Sequence, residues 1–168
     1  MEHQHQVLIQ VENLTCTLEG NLVLQDVSFE VHQGEIFGVM GLSGAGKSTL
    51  LRNIMGLMRP DSGSIIINGV DITTLDEPHL NEVRLTMGMS FQYSALFDSL
   101  NVYDNVAFGL RRRRLPEKEV REKVAHYLEV VGMSHTEDMM PHNLSGGMKK
   151  RVSIARALST EPQIVLYD

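Results

Sequence analysis

Gly41-Leu42-Ser43-Gly44-Ala45-Gly46-Lys47-Ser48-Thr49 decides the fold. The run fits G-x-x-x-x-G-K-[ST], a loop that cradles phosphate. Its flanks complete a unit. Ile36-Phe37-Gly38-Val39-Met40 before it reads as a buried strand, and Leu50, Leu51, Ile54 and Leu57 after it fall at helical spacing. Strand, glycine loop and helix start together make an anion site. Gly41, Gly44 and Gly46 let main-chain N–H groups turn towards phosphate oxygens. The helix N-terminus adds unpaired donors and the positive end of its dipole. Lys47 reaches the β- and γ-phosphates, and the Ser48 hydroxyl ligates Mg²⁺. The plainer alternative is a glycine turn ahead of a capped helix. With glycine at about 7% of residues, a chance match in one chain is roughly below one per cent, so triphosphate binding is the better reading.

At 168 residues the chain has one domain's length and enough material for a core. Its 42% hydrophobic and 21% charged residues are ordinary for a globular protein. A net charge of -6 argues against nucleic acid as the main partner. The single cysteine, Cys16, cannot form an internal disulfide and reads as a small buried apolar residue in a reducing compartment. Residues 1–6 are polar and hold no signal-peptide core, and no apolar run approaches the ~20 residues of a membrane span. The expectation is a cytoplasmic chain whose membrane work needs a separate partner. His3 and His5 are a candidate metal pair, against the plainer reading of a frayed polar end.

Outward from the loop, residues 7–11 read as a short strand and Glu19-Gly20-Asn21 as a hairpin turn. Residues 22–31 alternate, with Leu22 and Leu24 on one face and Val27, Phe29 and Val31 following. His32-Gln33-Gly34-Glu35 turns the chain into the strand before the loop. The helix from Lys47 stops near Gly56, ahead of Pro60, and Ile65-Ile66-Ile67-Asn68-Gly69 gives a strand and a tight turn. Residues 85–91 are a further strand with Met87 and Met89 in alternation, and the ten methionines read as core filler.

From about residue 104 to 160 the pattern is helical. Val120, Val124, Leu128 and Val131 form an apolar stripe, supported by the pairs Glu117 with Arg121 and Glu119 with Lys123, and Gly132 is a C-terminal cap. Arg111-Arg112-Arg113-Arg114 is the strongest charge run. It reads as a solvated helix end, or more sharply as a contact for an acidic partner or anionic lipid headgroups. The predicted fold class is α/β: a mixed sheet core with antiparallel N-terminal strands and an inserted helical arm. Residues 1–168 read as a single domain, with about 1–92 and 160–168 as its core and about 93–159 as the helical subdomain.

A second anion device opens another helix. In Leu144-Ser145-Gly146-Gly147-Met148-Lys149-Lys150-Arg151, Ser145 is a good N-cap, Gly146 and Gly147 expose donors, and three cations follow. Val152, Ala155 and Leu158 give the helix its buried face. A lone Ser-Gly-Gly is usually just a capped turn; beside a phosphate loop it carries weight. Ile164-Val165-Leu166-Tyr167 then ends in Asp168, an acid at the C-terminal edge of a strand, where α/β sheets place ligand groups. Asp168 is placed to hold Mg²⁺ through water, opposite Ser48.

Taken together these residues resemble the nucleotide-binding domain of an ATP-binding-cassette (ABC) transporter, a P-loop NTPase. Residues 41–49 match its Walker A loop, Gln92 in Ser-Phe-Gln its Q-loop, residues 144–148 its signature motif and residues 164–168 its Walker B strand. The resemblance implies that Gly41, Ser43, Gly44, Ala45, Gly46, Lys47, Ser48 and Thr49 bind ATP in one copy while Ser145, Gly146 and Gly147 clamp the nucleotide of a second, head-to-tail ATP-binding subunit. It implies catalytic roles for Lys47, Gln92 and Asp168, and Mg²⁺ held by Ser48, Gln92 and Asp168. Gln92 would sense the γ-phosphate and relay it to a transmembrane permease subunit, which would keep the chain peripheral on the inner face of the cell membrane.

A narrower similarity lies in Phe91-Gln92-Tyr93-Ser94-Ala95-Leu96-Phe97-Asp98-Ser99-Leu100-Asn101-Val102-Tyr103-Asp104-Asn105-Val106. It is similar to ATPases of phospholipid transporters of the lipid-asymmetry and mammalian-cell-entry type, and so is Leu144-Ser145-Gly146-Gly147-Met148, followed by basic residues where many relatives have Gln. Two departures stand out. No aromatic precedes Phe29 where family members stack adenine; Cys16 or Leu18 lies near that place. The chain stops at Asp168, ahead of the family's catalytic Glu and switch His. The expectation is weak Mg-ATP binding, little turnover, an exposed apolar edge and marginal stability for the chain as it stands. The other readings are a soluble ABC ATPase of ribosomes or DNA repair, and a non-hydrolysing nucleotide-binding module.

Overall fold

A computed structural model of the protein describes residues 6–168, so His3 and His5 lie outside the described residues. The fold is mixed α/β, and its contacts divide into two compact units, one up to Leu85 and the other Thr86–Asp168.

The first unit is built on hairpins. β1 (Val7–Leu18) and β2 (Asn21–His32) pair antiparallel, and β3 (Ser62–Ile67) with β4 (Val70–Asp71) completes a sheet of order β2-β1-β3-β4. The turn residues dictate this. Glu19 and Gly20 have φ of 51° and 80°, and Asn68 and Gly69 have 50° and 80°. Two successive positive φ values make the two-residue turn whose twist suits a hairpin. β1 runs seven residues beyond the predicted end at 11, because irregularities between Val11 and Leu14 and between Leu14 and Cys16 re-aim it without breaking the ladder. At the first, Ser28 Oγ accepts the Asn13 N–H at 2.8 Å; at the second, Thr15 Oγ1 accepts that of Asp26 at 3.2 Å.

Ile9, Val11, Leu14, Cys16, Leu24, Ile65 and Ile67 of the sheet are buried, as are Leu50 and Ile54 of α1 (Lys47–Ile54). Leu22, expected on one face with Leu24, stands exposed where Leu24 is buried, and Leu57, which lies past the end of α1, is exposed too. α2 (Glu77–Arg84) is capped by Asp76, whose carboxylate accepts the His79 N–H.

One expectation fails outright. Residues 36–40 form no strand, and Ile36 and Met40 are 99% and 94% exposed rather than buried. Composition made the run strand-like, but a strand also needs a ladder, and among the described residues none pairs with it. Phe37 instead stacks on Phe29, with ring centroids 4.9 Å apart.

The second unit joins a two-stranded parallel sheet to three helices. β5 (Met87–Ser90) and β6 (Ile164–Tyr167) run in register from Met87↔Ile164 to Ser90↔Tyr167. All four residues of β5 are buried, so Met87 and Met89 do not mark a half-exposed strand. Gly88 allows this: a Cβ there would lie 2.5 Å from the Ala157 carbonyl oxygen. α3 (Val102–Arg112), α4 (Glu117–Val130) and α5 (Gly146–Ser159) share a core of Val102, Val106, Leu110, Val120, Val124, Leu128, Val152 and Ala155. Leu158 is only half-buried; small Ser153 and Ser159 take the tight positions on α5.

α4 ends as predicted at Gly132, whose φ is 68°. The Gly132 N–H donates to Glu129 O and the Met133 N–H to Leu128 O, the paired bonds of a Schellman stop. The two predicted i,i+4 pairs are replaced. Glu117 accepts bonds from Arg111 and from the Tyr103 hydroxyl, and Lys123 bonds Glu161 at 2.6 Å. Packing brings these partners from outside α4, and they win over neighbours on an exposed helix face, where such a pair is worth only about 0.2–0.5 kcal/mol.

Candidate functional site

In the first unit the glycine loop leads directly into α1. Gly46 is the N-cap, with φ 89° and ψ 6°, and among the described residues no side chain caps the helix. A Cβ at Gly46 would sit 2.8 Å from Val23 Cγ1 and 3.0 Å from Val23 O. Glycine is therefore required twice there, by dihedral and by space. Gly44 also has a positive φ, 80°, but faces open space. The loop is drawn in by the Ala45 N–H, which donates to Leu42 O at 3.2 Å. Lys47 Nζ folds back and donates to Gly41 O at 2.9 Å and Leu42 O at 2.7 Å. Residues 41–45 are exposed, Lys47 and Ser48 half-buried and Thr49 buried. The result is an open loop at an uncapped helix start with a lysine ammonium held across it. That arrangement suits a polyphosphate.

Cys16 is not available as a surface for a base. It is 1% exposed, with its thiol 3.7 Å from Met58 Sδ and Asn53 Nδ2 donating to its sulfur at 3.7 Å. Leu18, at the rim, is 36% exposed.

In the second unit, the parallel strands β5 and β6 bring their C-terminal ends to one edge. Gln92 follows β5 and is exposed, while Asp168 follows β6 and donates its N–H to Ser90 O at 3.0 Å. Lys150 Nζ donates to Phe91 O at 3.2 Å and Asp168 O at 2.9 Å. The sequence marked Lys150 only as positive charge beside Gly147; in the structure it braces the edge from which Gln92 and Asp168 emerge.

α5 starts as expected, with Ser145 Oγ accepting the Met148 N–H at 3.3 Å. Gly146 and Gly147 lie in its first turn with open space where a Cβ would go. At the other end of α5, Arg156 donates to Ala95 O at 2.8 Å and Ser94 O at 3.2 Å, a contact the sequence did not signal. Burial lowers the Arg156 pKa from the ordinary guanidinium value.

The arginine run is partly used within the unit. Arg111 pairs with Asp104 at 2.7 Å and Glu117 at 3.3 Å, and Arg113 donates to Thr160 O at 2.6 Å. The hydrogen bonds that Arg111 donates to Asp104 and Glu117 raise the Arg111 pKa, and the one it donates to Glu117 holds that carboxyl below its usual range.

Among the described residues no three His, Cys, Asp or Glu gather as a metal cluster. Ser48, Gln92 and Asp168 are hard oxygen donors. Donors of this kind suit Mg²⁺, which takes oxygen ligands and completes its shell with water and phosphate. No helix among the described residues is long and apolar enough to cross a membrane.

A family model described as ABC transporter matches residues 24–168. The methionine import ATP-binding protein MetN 4 of Oceanobacillus iheyensis is 46% identical over 165 residues, covering 96% of this chain and 48% of that protein. The probable ribonucleotide transport ATP-binding protein mkl of Mycobacterium leprae is 42% identical over 163 residues, covering 96% of this chain and 47% of that protein. The chain thus spans about half the length of the curated relatives it matches. Among solved structures, the ATP-binding cassette MJ0796, dimeric in a post-hydrolysis state with ADP and Pi, superposes with a TM-score of 0.91 at 30% identity, covering 96% of this chain and 73% of that one. CbiO1 of Clostridium perfringens, part of the transporter complex cbiONQ, gives 0.85 at 34% identity, covering 97% and 65%.

Proposed function

The chain belongs to the ABC transporter family, and from that premise we propose that it is an ATP-binding subunit that couples ATP binding and hydrolysis to transport through a partner permease. The observation that carries this is the open loop at α1, where Gly44 and Gly46 have positive φ and Lys47 is held across the loop mouth. Amides of the loop and of the first turn of α1 grip the triphosphate, and Lys47 moves from the carbonyls of Gly41 and Leu42 to phosphate oxygens. Ser48, Gln92 and Asp168 would hold Mg²⁺, which when bound neutralises developing charge on the β- and γ-oxygens.

A second copy supplies Ser145, Gly146 and Gly147 to the same nucleotide. Each chain carries two phosphate devices, and a two-fold pair lets each exposed one meet its partner's ATP. Gln92, on an exposed segment, reports the γ-phosphate to the permease contact. This makes the subunit cytoplasmic and peripheral to the membrane. Within it, residues 93–159 serve as the helical arm on a nucleotide-binding core.

For the cargo, two observations point apart. Relatives at 41–46% identity are named for methionine import, and one at 42% for ribonucleotide transport, which favours a small polar cargo. Residues 91–106, and residues 144–148 with the basic residues after them, favour phospholipid. Cargo is selected in the permease, so the test is there. The full chain is co-purified with its permease, reconstituted in vesicles and given ATP with labelled methionine or labelled phospholipid. Transport of one and not the other decides the cargo. Failure of Mg-ATP to bind the chain in calorimetry would refute the whole reading.

A further inference from the structure

We propose that Arg156 is a positioning residue for Gln92: from the last turn of α5 it pins the turn at residues 93–95 and so sets where Gln92 stands. The proposal rests on reading Gln92 as the γ-phosphate sensor.

Directly after Gln92 the backbone enters an unusual conformation. Ser94 and Ala95 are successive non-glycine residues with φ of 58° and 44°. An L-residue there crowds its Cβ against the main chain, and such a pair persists only where the surroundings hold it. Local bonds contribute: the Ser94 N–H donates to Phe91 O at 3.0 Å and the Ala95 N–H to Tyr93 O at 2.6 Å. The long-range hold is Arg156. Its Nη1 donates to Ala95 O and its Nη2 to Ser94 O, with the guanidinium carbon 5.7 Å from the centroid of the Phe97 ring. The two prongs of one planar group thus take the carbonyls of both strained residues, which a single ammonium cannot reproduce in the same geometry.

Gln92 therefore sits between two fixed points. On one side β5 is held in its ladder to β6. On the other the strained turn is held by Arg156, and beyond it Phe97 is held by Asn105. α5 begins at Gly146, next to Ser145, and carries Arg156 near its far end. The same rigid helix thus bears the signature donors and the clamp on the turn after Gln92. A displacement at one end of the helix is felt at the other.

The test uses the full chain and two readouts: amide exchange over residues 93–97, and the ratio of Mg-ATP to Mg-ADP affinity by calorimetry. R156A is expected to speed exchange over 93–97 on the order of tenfold and to lower the ATP preference. R156K keeps the stem and charge, guards against a variant that fails to fold, and should give the same changes in smaller measure. Adding A95N to R156A should restore the ATP preference, because asparagine tolerates the left-handed region without the clamp. A residue that merely filled space would not be rescued from position 95. Unchanged exchange in both R156A and R156K overturns the clamp. Fast exchange with the ATP preference intact, while Q92A lowers it, overturns the link to Gln92. If Q92A itself has no effect on the ATP preference, the sensor reading has failed and the proposal falls with it, for that separate reason.

Discussion

Asn105 and Phe97 exchange two hydrogen bonds. The Phe97 N–H donates to Asn105 Oδ1 at 2.8 Å, and Asn105 Nδ2 donates to Phe97 O at 3.1 Å. A side-chain amide here does what a neighbouring strand does elsewhere: it satisfies both main-chain groups of one residue. The same Nδ2 lies 2.9 Å from Leu100 O and 3.0 Å from Asn101 O. Asn105 is fully buried, on the face of α3 that carries Val102 and Val106. It fixes the irregular segment that leads from Gln92 to the helices.

Asn105→Ala should be among the most damaging single changes in the second unit. It leaves the part-buried Phe97 N–H and the Leu100 carbonyl without the partner that Asn105 supplies, a loss of about 3 kcal/mol. For a chain of this size the melting temperature should fall by roughly 6–12 °C, measured by circular dichroism. A fall within error would mean that water replaces the amide.

Two glycine substitutions in the phosphate loop should separate strain from space. Gly44→Ala meets only the positive φ and should cost about 1–2 kcal/mol. Gly46→Ala adds the collision with Val23 seen at 2.8 Å, for a total on the order of 3 kcal/mol. Equal melting temperatures for the two variants would contradict the packing at Gly46.

Lys47→Ala should leave stability nearly untouched, within about 0.5 kcal/mol, because its ammonium bonds the exposed loop carbonyls of Gly41 and Leu42. Mg-ATP affinity in calorimetry should fall by at least about tenfold, the worth of one charge-assisted bond. Undiminished affinity would remove the basis for the nucleotide reading.

The Lys123–Glu161 pair gives a pH signature. The hydrogen bond from Lys123 holds the Glu161 carboxyl below its usual range. A depressed folded value means that the pair stabilises above the ordinary glutamate pKa, and that this is lost as pH falls through the folded value. Glu161 is 59% exposed on its side chain, so the effect is small and salt-sensitive. Lys123→Met should therefore lower the melting temperature slightly at neutral pH and not at all in strong acid. An equal difference at both would show that Lys123 acts through packing alone.

Local features were legible. The turns at Glu19-Gly20 and Asn68-Gly69, the stop at Gly132, the cap at Ser145 and the stripe of Val120, Val124 and Leu128 all appear where the residues put them. Each depends on backbone dihedrals or spacing within a few positions. Residues 36–40 were misread for the opposite reason: their apolar character is local, but burial depends on a neighbour. The pairs predicted along α4 failed in the same way, since Glu117 and Lys123 found partners outside their own helix. One signal was overlooked: Asn105 stands three residues after Val102 on an apolar face, and a polar residue in such a stripe asks for a partner.

From the sequence alone came the phosphate-loop pattern, the hairpin turns, the helix stop at Gly132, the helix start at Ser145 and the family, because each is written in residues close together or in motifs whose order suffices. Only the tertiary structure decided which side chains brace the edge after β5 and β6. Arg156 reaches Ala95 across 61 positions and Lys150 reaches Phe91 across 59. A hydrogen bond is set by distance in space, and nothing in the spacing of residues along the chain encodes a meeting that only the packing of α5 on β5 brings about.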